Sequence, residues 1–275
     1  NGCVNTNSVV LIVNPAPVLN STLTPPAICS GSTFGYTATS LTAGVAFGWT
    51  RATISGITEP GTAGAVAAVS EVLTNTTTAP INVTYVYTIT ANGCVNTNNV
   101  VVTVNPIPVL SSTLTPLAIC SGSALNYTAT SATVGATFAW TRAAVVGISN
   151  IAGAGATSGI NESLNNTTAT PVNATYIITP SYGGCAGTPF NLVVTVNPTA
   201  VITSAAGKTI CDNASTAYNA TSSTVGATFA WTRAAVAGIA NPAGGGVTAA
   251  INENLDNTTT GSVNVTYVIT SSYGG

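Results

Sequence analysis

The chain of 275 residues contains no histidine and no methionine, and charged side chains make up only 4% of it. Without histidine the many serines lack the usual general base, and the acidic residues do not recur as close pairs at a fixed step along the chain. No acidic cluster could bind calcium, and no cysteine spacing matches a zinc site. These absences predict a protein that is not an enzyme and that holds no cofactor and no metal ion.

Basic residues are equally scarce, with 4 lysines and arginines in total and a formal net charge of −2. We therefore expect no nucleic acid partner, because neutralising phosphates needs clustered lysine and arginine side chains. No run of about 18 apolar residues is free of threonine, asparagine, serine and proline, so the sequence predicts no transmembrane segment. A surface this poor in charge is a weak barrier to association, and we expect lateral or end-to-end assembly.

What the chain does contain is a repeat of 91 residues. The segment VGATFAWTRAAV at 134–145 returns letter for letter at 225–236. A unit of this length can bury its own core, so the pattern predicts an array of domains rather than a solenoid of about 20- to 45-residue repeats. The cysteines form two series with the same step, namely Cys3, Cys94 and Cys185, and Cys29, Cys120 and Cys211.

The repeat step divides the chain into four parts. We interpret residues 1–15 as the last strand of a preceding repeat, because NGCVNTN at 1–7 returns at 92–98 inside a predicted hairpin. The first and last segments of the sequence are complementary, which leaves two interpretations. Either the sequence is one period of a longer continuous chain, or a strand of one molecule completes the last repeat of the next molecule. The three β-sandwich repeats are 16–106, 107–197 and 198–275, and the third lacks its last strand.

Each repeat shows only β-strand signals. Valine, isoleucine, threonine and aromatic residues alternate with period two in segments such as INVTYVYTIT at 81–90. About seven strands per repeat, separated by turns, predict an all-β fold of tandem Ig-like Greek-key β-sandwiches. In the first repeat the predicted strands are 18–24, 33–40, 45–51, a segment around 71–73, 82–90 and 95–104, with one or two short strands in the Gly/Ala-rich middle.

Three motifs of the first repeat resemble a known family. They are PAICSGS, FGWTRA and VTYVYTITANGCVNTNNVVVTVNP. Together they are similar to the PKD-like or Ig-like repeats that occur in tandem in large secreted and surface proteins of Bacteroidetes-type bacteria, and the resemblance covers nearly the whole chain. The third repeat departs from it, with ICDNAS in place of ICSGS and YGG in place of NGC. The resemblance implies an extracellular stalk, adhesin or filament segment and implies no catalytic residue.

Two sets of aromatic residues keep the repeat step. The tryptophans lie on the predicted third strand, where they would fill the core between the sheets, and the tyrosines lie near the start of the penultimate strand. We interpret both sets as core residues rather than as platforms for a ligand. They are Trp49, Trp140 and Trp231, and Tyr85, Tyr176 and Tyr267.

One pair of opposite charges also recurs, with a fixed separation between arginine and glutamate. The pairs are Arg51 and Glu71, Arg142 and Glu162, and Arg233 and Glu253. One interpretation is a repeated contact with a carbohydrate or a protein partner. The interpretation that we favour is a structural ion pair, which ties the end of the third strand to the segment before the penultimate strand.

The cysteines indicate disulfide bonds and hence an extracellular or cell-surface protein. Two pairings are open. An in-repeat scheme joins Cys29 to Cys94 and Cys120 to Cys185, and leaves Cys211 for the equivalent of Cys3 in a following segment. A joint-crossing scheme joins Cys29 to Cys185 and sends the other cysteines to repeats outside the segment. Geometry favours the second, because the two turns lie about 20 to 25 Å apart in a Greek-key repeat and bonded cysteines need Cα atoms within about 7 Å.

These observations predict a non-catalytic structural segment of an extracellular bacterial filament or adhesin stalk, assembled end to end through a continuous or donated β-strand. Its partners would be copies of itself, with surface glycans or cell-surface proteins of a host in addition. The alternative is an adhesion module that binds a glycan or a protein through Gly/Ala-rich loops such as ISGITEPGTAGAVAAVS at 54–70. These loops are short of polar side chains, which suits packing better than sugar recognition.

Overall fold

A computed structural model describes residues 2–274, and every regular element among them is a β-strand. The predicted all-β fold of tandem sandwiches is therefore confirmed. The described chain divides into two compact units. The first comprises the chain up to Ser111 together with Thr130–Phe138 and Thr179–Thr188, and the second comprises Ser112–Ala129, Ala139–Ile178 and the chain from Pro189 onward.

The first repeat is a sandwich of two sheets. Its strands are β1 (Ile28–Cys29), β2 (Ser32–Thr37), β3 (Ala46–Arg51), β4 (Thr62–Gly64), β5 (Ala68–Leu73), β6 (Ile81–Ala91) and β7 (Cys94–Asn105). One sheet has the order β1-β7-β6-β3-β4, and the other pairs β2 with β5. All pairs are antiparallel except that of β1 with β7, which is parallel.

Alternating side chains of β6 build the core of this repeat. Val83, Tyr85 and Tyr87 are fully buried, whereas the residues between them face outward or are half-buried. Across the sandwich, the ring of Phe34 on β2 stacks on Tyr85 at 5.1 Å between ring centroids, and Leu73 on β5 is fully buried. Apolar area removed from water in this way stabilises the fold by about 25 cal/mol per Å².

The second repeat follows the same plan. Its strands are β8 (Ile119–Cys120), β9 (Ala124–Thr128), β10 (Thr137–Arg142), β11 (Gly153–Gly155), β12 (Gly159–Ser163), β13 (Val172–Tyr182), β14 (Cys185–Ala186) and β15 (Phe190–Asn197). One sheet has the order β11-β10-β13-β15-β8, with β14 paired to β13, and the other pairs β12 with β9. Tyr176, Ile178 and Leu192 are fully buried in its core.

Among the described residues, the larger sheet of the third repeat has two strands fewer than that of the first. Its strands are β16 (Tyr218–Asn219), β17 (Thr228–Arg233), β18 (Gly244–Gly246), β19 (Ala250–Ile251) and β20 (Tyr267–Ser272). The sheets are β18-β17-β20 and β16-β19. The equivalent strands β6 and β13 each lie between two neighbours, but β20 pairs with β17 and with no other strand of the described residues. One edge of β20 is therefore open.

Residues 2–15 are the described part of the segment predicted as the last strand of a preceding repeat, and they form no strand. No strand among residues 2–274 pairs with this segment in a ladder. Its apolar side chains, among them Val9, Leu11 and Val13, are exposed. A chain segment with strand-like sequence thus lies outside any sheet.

The strand predicted at 18–24 is wrong. The one β-bridge of this segment joins Leu19 to Ser40, and a single backbone hydrogen bond of 2.9 Å runs from N of Val101 on β7 to the carbonyl oxygen of Leu23, whereas the parallel strand β1 forms the ladder at the edge of β7. Two prolines, Pro25 and Pro26, follow the segment and cannot donate to a ladder, and the hydroxyl of Ser21 bonds Tyr36 on the other sheet. Local side-chain bonds and prolines therefore replace a regular strand here.

Each tryptophan packs on a glycine of the short strand beside it. Trp140 faces Gly155 across β10 and β11, and a Cβ built on Gly155 would lie 2.7 Å from Nε1 of the indole. Only glycine fits this approach, because any side chain would overlap the ring. The same contacts join Trp49 to Gly64 and Trp231 to Gly246.

Candidate functional site

The recurring arginine and glutamate meet between the two sheets of the sandwich. In the second repeat, Arg142 ends β10, and Glu162 lies on β12 of the opposite sheet. Nε of Arg142 is 2.9 Å from Oε2 of Glu162, and Nη2 donates a second hydrogen bond to Oε1 at 3.3 Å. This bidentate ion pair links one sheet to the other.

Tyr176 of β13 completes what we call the Arg–Glu–Tyr cluster. Its hydroxyl donates a hydrogen bond to Oε2 of Glu162 at 2.7 Å. The guanidinium of Arg142 also donates to the carbonyl oxygens of Ala143 at 3.2 Å and Ile151 at 2.7 Å, and it lies 5.8 Å from the centroid of the Tyr176 ring. The Arg142 side chain is only 1% exposed, so its charge depends on these partners.

The first and third repeats contain the same cluster. The distance from Nε to Oε2 is 2.9 Å between Arg51 and Glu71 and 2.8 Å between Arg233 and Glu253. The hydroxyls of Tyr85 and Tyr267 donate to these carboxylates at 2.6 and 2.7 Å. The structure thus brings each arginine and glutamate together and adds to each pair a tyrosine of the predicted core set.

The surroundings of the cluster keep the carboxyl group of Glu162 ionised and the hydroxyl group of Tyr176 protonated. Burial alone would raise the pKa of Glu162, but hydrogen bonds from Arg142 and Tyr176 and the arginine charge outweigh burial, and the pKa is lower than the ordinary 4.5. The hydrogen bond from Arg233 likewise lowers the pKa of Glu253 against the effect of burial. Burial and the nearby carboxylate raise the pKa of Tyr176, so its hydroxyl stays a donor.

The six cysteines are not equivalent in the structure. Cys29 and Cys185 form a disulfide with a Cα–Cα distance of 5.5 Å, and both lie in the first compact unit. The in-repeat pairing of Cys29 with Cys94 is wrong, because β1 pairs with the last residues of β7 whereas Cys94 begins that strand. A strand of this length separates its ends by about 35 Å at 3.3 Å per residue. The cysteines without a disulfide among the described residues are Cys3, Cys94, Cys120 and Cys211.

The in-repeat partner proposed for Cys120 is excluded as well, since Cys185 is already bonded to Cys29. Cys120 ends β8 and pairs with Asn197 at the far end of β15. Cys185 begins β14, beside the turn that follows β13. The two cysteines of the second repeat therefore lie at opposite ends of its larger sheet, as Cys29 and Cys94 do in the first repeat.

An asparagine from each VNP segment contacts the turn after the long strand of the following repeat. Nδ2 of Asn105 donates to the carbonyl oxygen of Gly183 at 3.2 Å, and Nδ2 of Asn14 donates to that of Asn92 at 3.1 Å. At Asn197 the corresponding neighbour is Gly274, where a built Cβ would lie 2.6 Å from Nδ2. We call Asn14, Asn105 and Asn197 the joint asparagines.

A comparison with protein families matches the PKD-like domain to residues 26–108 and 117–200, which together make up more than half of the chain. The chain belongs to the PKD-like domain family. The resemblance seen in the sequence is confirmed to this extent. The matched ranges contain the disulfide and the clusters of the first two PKD-like repeats.

Solved structures give weaker likenesses. An I-band fragment from titin matches with a TM-score of 0.45 and 10% identity over 95% of each chain. Mouse cadherin-23 EC22-24 matches with a TM-score of 0.36 and 10% identity over 93% of each chain. Scores this low carry no functional comparison. A search of curated proteins gave no significant match.

A shallow depression of about 390 Å³ beside Trp49 is lined by Gly48, Thr50, Thr88 and neighbouring glycine and alanine residues, without a titratable side chain. Residues 2–274 contain no group of three or more histidine, cysteine, aspartate or glutamate side chains that could hold a metal ion. The same residues include no helix with the length and apolarity that a membrane crossing requires.

One set of structural residues was missed by the sequence reasoning. Asn75 and Asn166 are buried, and Nδ2 of each donates to a carbonyl oxygen near the end of the last strand, that of Val104 at 2.9 Å and that of Val196 at 2.8 Å. Their side chains thereby attach the last strand to the preceding loop. The available signal was the recurring NTT triplet, which also reads as a glycosylation motif.

We expect the second PKD-like repeat to lose stability at acid pH because of its Arg–Glu–Tyr cluster. Because the folded-state pKa of Glu162 is lowered, its contribution is complete above the ordinary value of 4.5 and is lost as pH falls through the lower folded value. Urea unfolding followed between pH 7 and pH 2 should show this loss, and Glu162→Gln should remove it. An identical pH profile in both chains would contradict the prediction.

Proposed function

We propose that this chain is a non-catalytic structural segment of an extracellular bacterial filament or adhesin stalk, which assembles end to end through a continuous or donated β-strand. The observation that carries the proposal is the open edge of β20 in the third repeat. The PKD-like fold is typically non-catalytic, and a disulfide together with this family supports an extracellular location.

The open edge leaves the core of the third repeat incomplete. Tyr85 and Tyr176 have no exposed surface, whereas their counterpart Tyr267 is half-buried. Val263 and Val265, which precede β20 and alternate with exposed residues, are half-buried too. A further strand paired with β20 would place its own side chains beside these residues and shield them from solvent. In the first two repeats β7 lies beside β6 in this way, and β15 lies beside β13.

An asparagine of the third repeat also lacks a contact that its counterparts make. Nδ2 of Asn75 donates both to Ala79 and to Val104 of the last strand. In the third repeat, Nδ2 of Asn257 donates to Gly261, and no last strand is present among residues 2–274 to supply the second acceptor. A further strand would therefore accept a hydrogen bond from Asn257 in addition to pairing with β20.

Residues 3–15 have the sequence of such a strand. CVNTNSVVLIVNP differs from CVNTNNVVVTVNP at 94–106 at only three positions. Val100, Val102 and Val104 are fully buried in the first repeat, whereas the corresponding Val9, Leu11 and Val13 are 80%, 82% and 90% exposed. Burying three such side chains against Tyr267 and the residues that precede β20 would favour association.

The register of the existing strands defines where a donated strand would lie. Tyr85 faces Val100 and Val83 faces Val102 in the ladder of β6 with β7. By the repeat step, Val9 of a second copy would face Tyr267, and Leu11 would face Val265. The carbonyl oxygen of Val13 would then take the place of that of Val104 and accept a second hydrogen bond from Nδ2 of Asn257.

The test compares two introduced charges on the same segment. Leu11→Asp places a carboxylate on the buried face of the donated strand, and Ser8→Asp places one at the position of the exposed Asn99. We expect filaments from the original chain and from Ser8→Asp in electron micrographs and by sedimentation, and monomers from Leu11→Asp. Equal assembly of both variants would overturn strand donation. An original chain that stays monomeric at high concentration would leave the continuous chain as the source of the strand.

A further inference from the structure

The disulfide between Cys29 and Cys185 is organised around a joint asparagine. Asn105 pairs with Cys29 in the ladder of β7 with β1, and its carbonyl oxygen accepts a hydrogen bond from N of Ser30 at 2.8 Å. Its side chain donates to Gly183, two residues before Cys185. Asn105 therefore positions both cysteines, one through its backbone and one through its side chain.

The same arrangement surrounds Cys120, which has no disulfide partner among the described residues. Asn197 pairs with Cys120 in the ladder of β15 with β8, and its carbonyl oxygen accepts from N of Ser121 at 2.9 Å. A Cβ built on Gly274 would lie 2.6 Å from Nδ2 of Asn197, as one built on Gly183 would lie 2.5 Å from Nδ2 of Asn105. A cysteine that begins the strand beside β20 would hence lie next to Cys120.

Cys3 is the cysteine that begins the segment proposed to fill this edge. In the alignment that sets Leu11 at the position of Val102, Cys3 takes the position of Cys94, the first residue of β7. A second copy that donates residues 3–15 to the third repeat would thus bring its Cys3 to Cys120. Both side chains are exposed in the single chain, so both are available.

The second pair at the same junction involves Cys211 and Cys94. Within one chain, Nδ2 of Asn14 donates to Asn92, and Sγ of Cys94 lies 3.7 Å from the carbonyl oxygen of Asn14. Asn14 would end the donated strand as Asn105 ends β7. The residue that pairs with Asn105 is Cys29, and its counterpart in the third repeat is Cys211, one repeat step beyond Cys120.

We propose that consecutive copies of this chain are joined by two disulfides, one from Cys120 to Cys3 of the second copy and one from Cys211 to Cys94 of the second copy. This rests on the donated strand of the proposed function. With the bond between Cys29 and Cys185, every cysteine of the chain is then used. Each new bond forms when two thiols lose two protons and two electrons to a small disulfide such as glutathione disulfide, which is reduced to two thiols.

The experiment uses two complementary variants. Both variants keep Cys29 and Cys185. Of the four other cysteines, Cys120→Ser/Cys211→Ser retains the two of the donating side, and Cys3→Ser/Cys94→Ser retains the two of the receiving side. After assembly with reductant and then oxidation by glutathione disulfide, we expect each variant alone to run as a monomer in denaturing gels without reductant. Their mixture should give a covalent dimer and no covalent species larger than a dimer. The original chain should give a series of gel bands from covalent oligomers of increasing size.

Peptide mapping identifies the bonds. In an equal mixture of ¹⁵N-labelled and unlabelled original chains, peptides joining Cys3 to Cys120 and Cys94 to Cys211 should carry mixed labels in about half of the molecules. The peptide joining Cys29 to Cys185 should never do so. Free thiols or other pairings in assembled chains would overturn the disulfide proposal alone. Absence of sedimenting assemblies in the reduced original chain would overturn strand donation, and the disulfide proposal with it.

Discussion

Replacing Glu162 by glutamine should destabilise the second PKD-like repeat by about 3 to 5 kcal/mol, the usual cost of removing one partner from a buried ion pair. Glutamine keeps the shape of glutamate but leaves the charge of Arg142, whose side chain is 1% exposed, without a counter-charge. Two carbonyl oxygens still accept from the guanidinium, and they cannot neutralise it. The loss should therefore exceed that of an ordinary surface salt bridge, about 0 to 1 kcal/mol.

Urea unfolding monitored by Trp140 fluorescence measures this loss, in a chain with Trp49→Phe and Trp231→Phe so that only the second repeat is observed. Asn161→Gln changes the exposed neighbour of Glu162 and should alter stability by less than about 0.5 kcal/mol. The double variant Arg142→Met/Glu162→Gln should be more stable than Glu162→Gln alone, because no charge is then left unpaired. A loss below about 1 kcal/mol for Glu162→Gln would show that the pair behaves as a solvent-exposed one.

Long strands with strict alternation could be predicted closely from the sequence. The predictions at 82–90 and 95–104 became Ile81–Ala91 and Cys94–Asn105 in the structure. Such strands carry their burial pattern in the sequence itself, since successive side chains face opposite sides. The predicted strand at 18–24 was wrong because the conformation of this segment depends on hydrogen bonds to residues of another sheet, such as that between Ser21 and Tyr36. The local sequence pattern does not show such bonds.

The composition of the cluster was only partly predictable. A fixed separation in three repeats indicated that Arg142 and Glu162 belong together, but it gave no sign that Tyr176 donates to the same carboxylate. The tyrosine lies on a different strand, 14 residues beyond the glutamate. The alternating pattern predicted that the tyrosine ring lies in the core. It did not predict the hydrogen-bond partner of the tyrosine hydroxyl.

The disulfide was left open by the sequence for a related reason. Its position depends on the short strand β1, which pairs in parallel with the end of β7. Two residues, Ile28 and Cys29, are too few to show a period. The choice between the two pairings therefore required the sheet order, which is a tertiary property.

Removing the disulfide between Cys29 and Cys185 should destabilise the first PKD-like repeat by about 2 to 4 kcal/mol. When this repeat unfolds, its chain remains attached to the second repeat at two points, through the disulfide and through the backbone after Asn105. The unfolded segment between them is a closed loop with less conformational entropy than an open chain, so the bond disfavours unfolding. The double variant Cys29→Ser/Cys185→Ser loses this constraint.

The measurement is urea unfolding followed by Trp49 fluorescence, with Trp140→Phe and Trp231→Phe and with the four other cysteines replaced by serine. Reductant should lower the stability of the chain that retains the disulfide to that of the double variant, and it should not affect the double variant. A second chain that keeps Trp231 and carries Trp49→Phe and Trp140→Phe provides the matched control, because no described residue of the third repeat forms a disulfide. If reductant shifted the unfolding of Trp231 as much as that of Trp49, the effect would not arise from a loop closed around the first repeat.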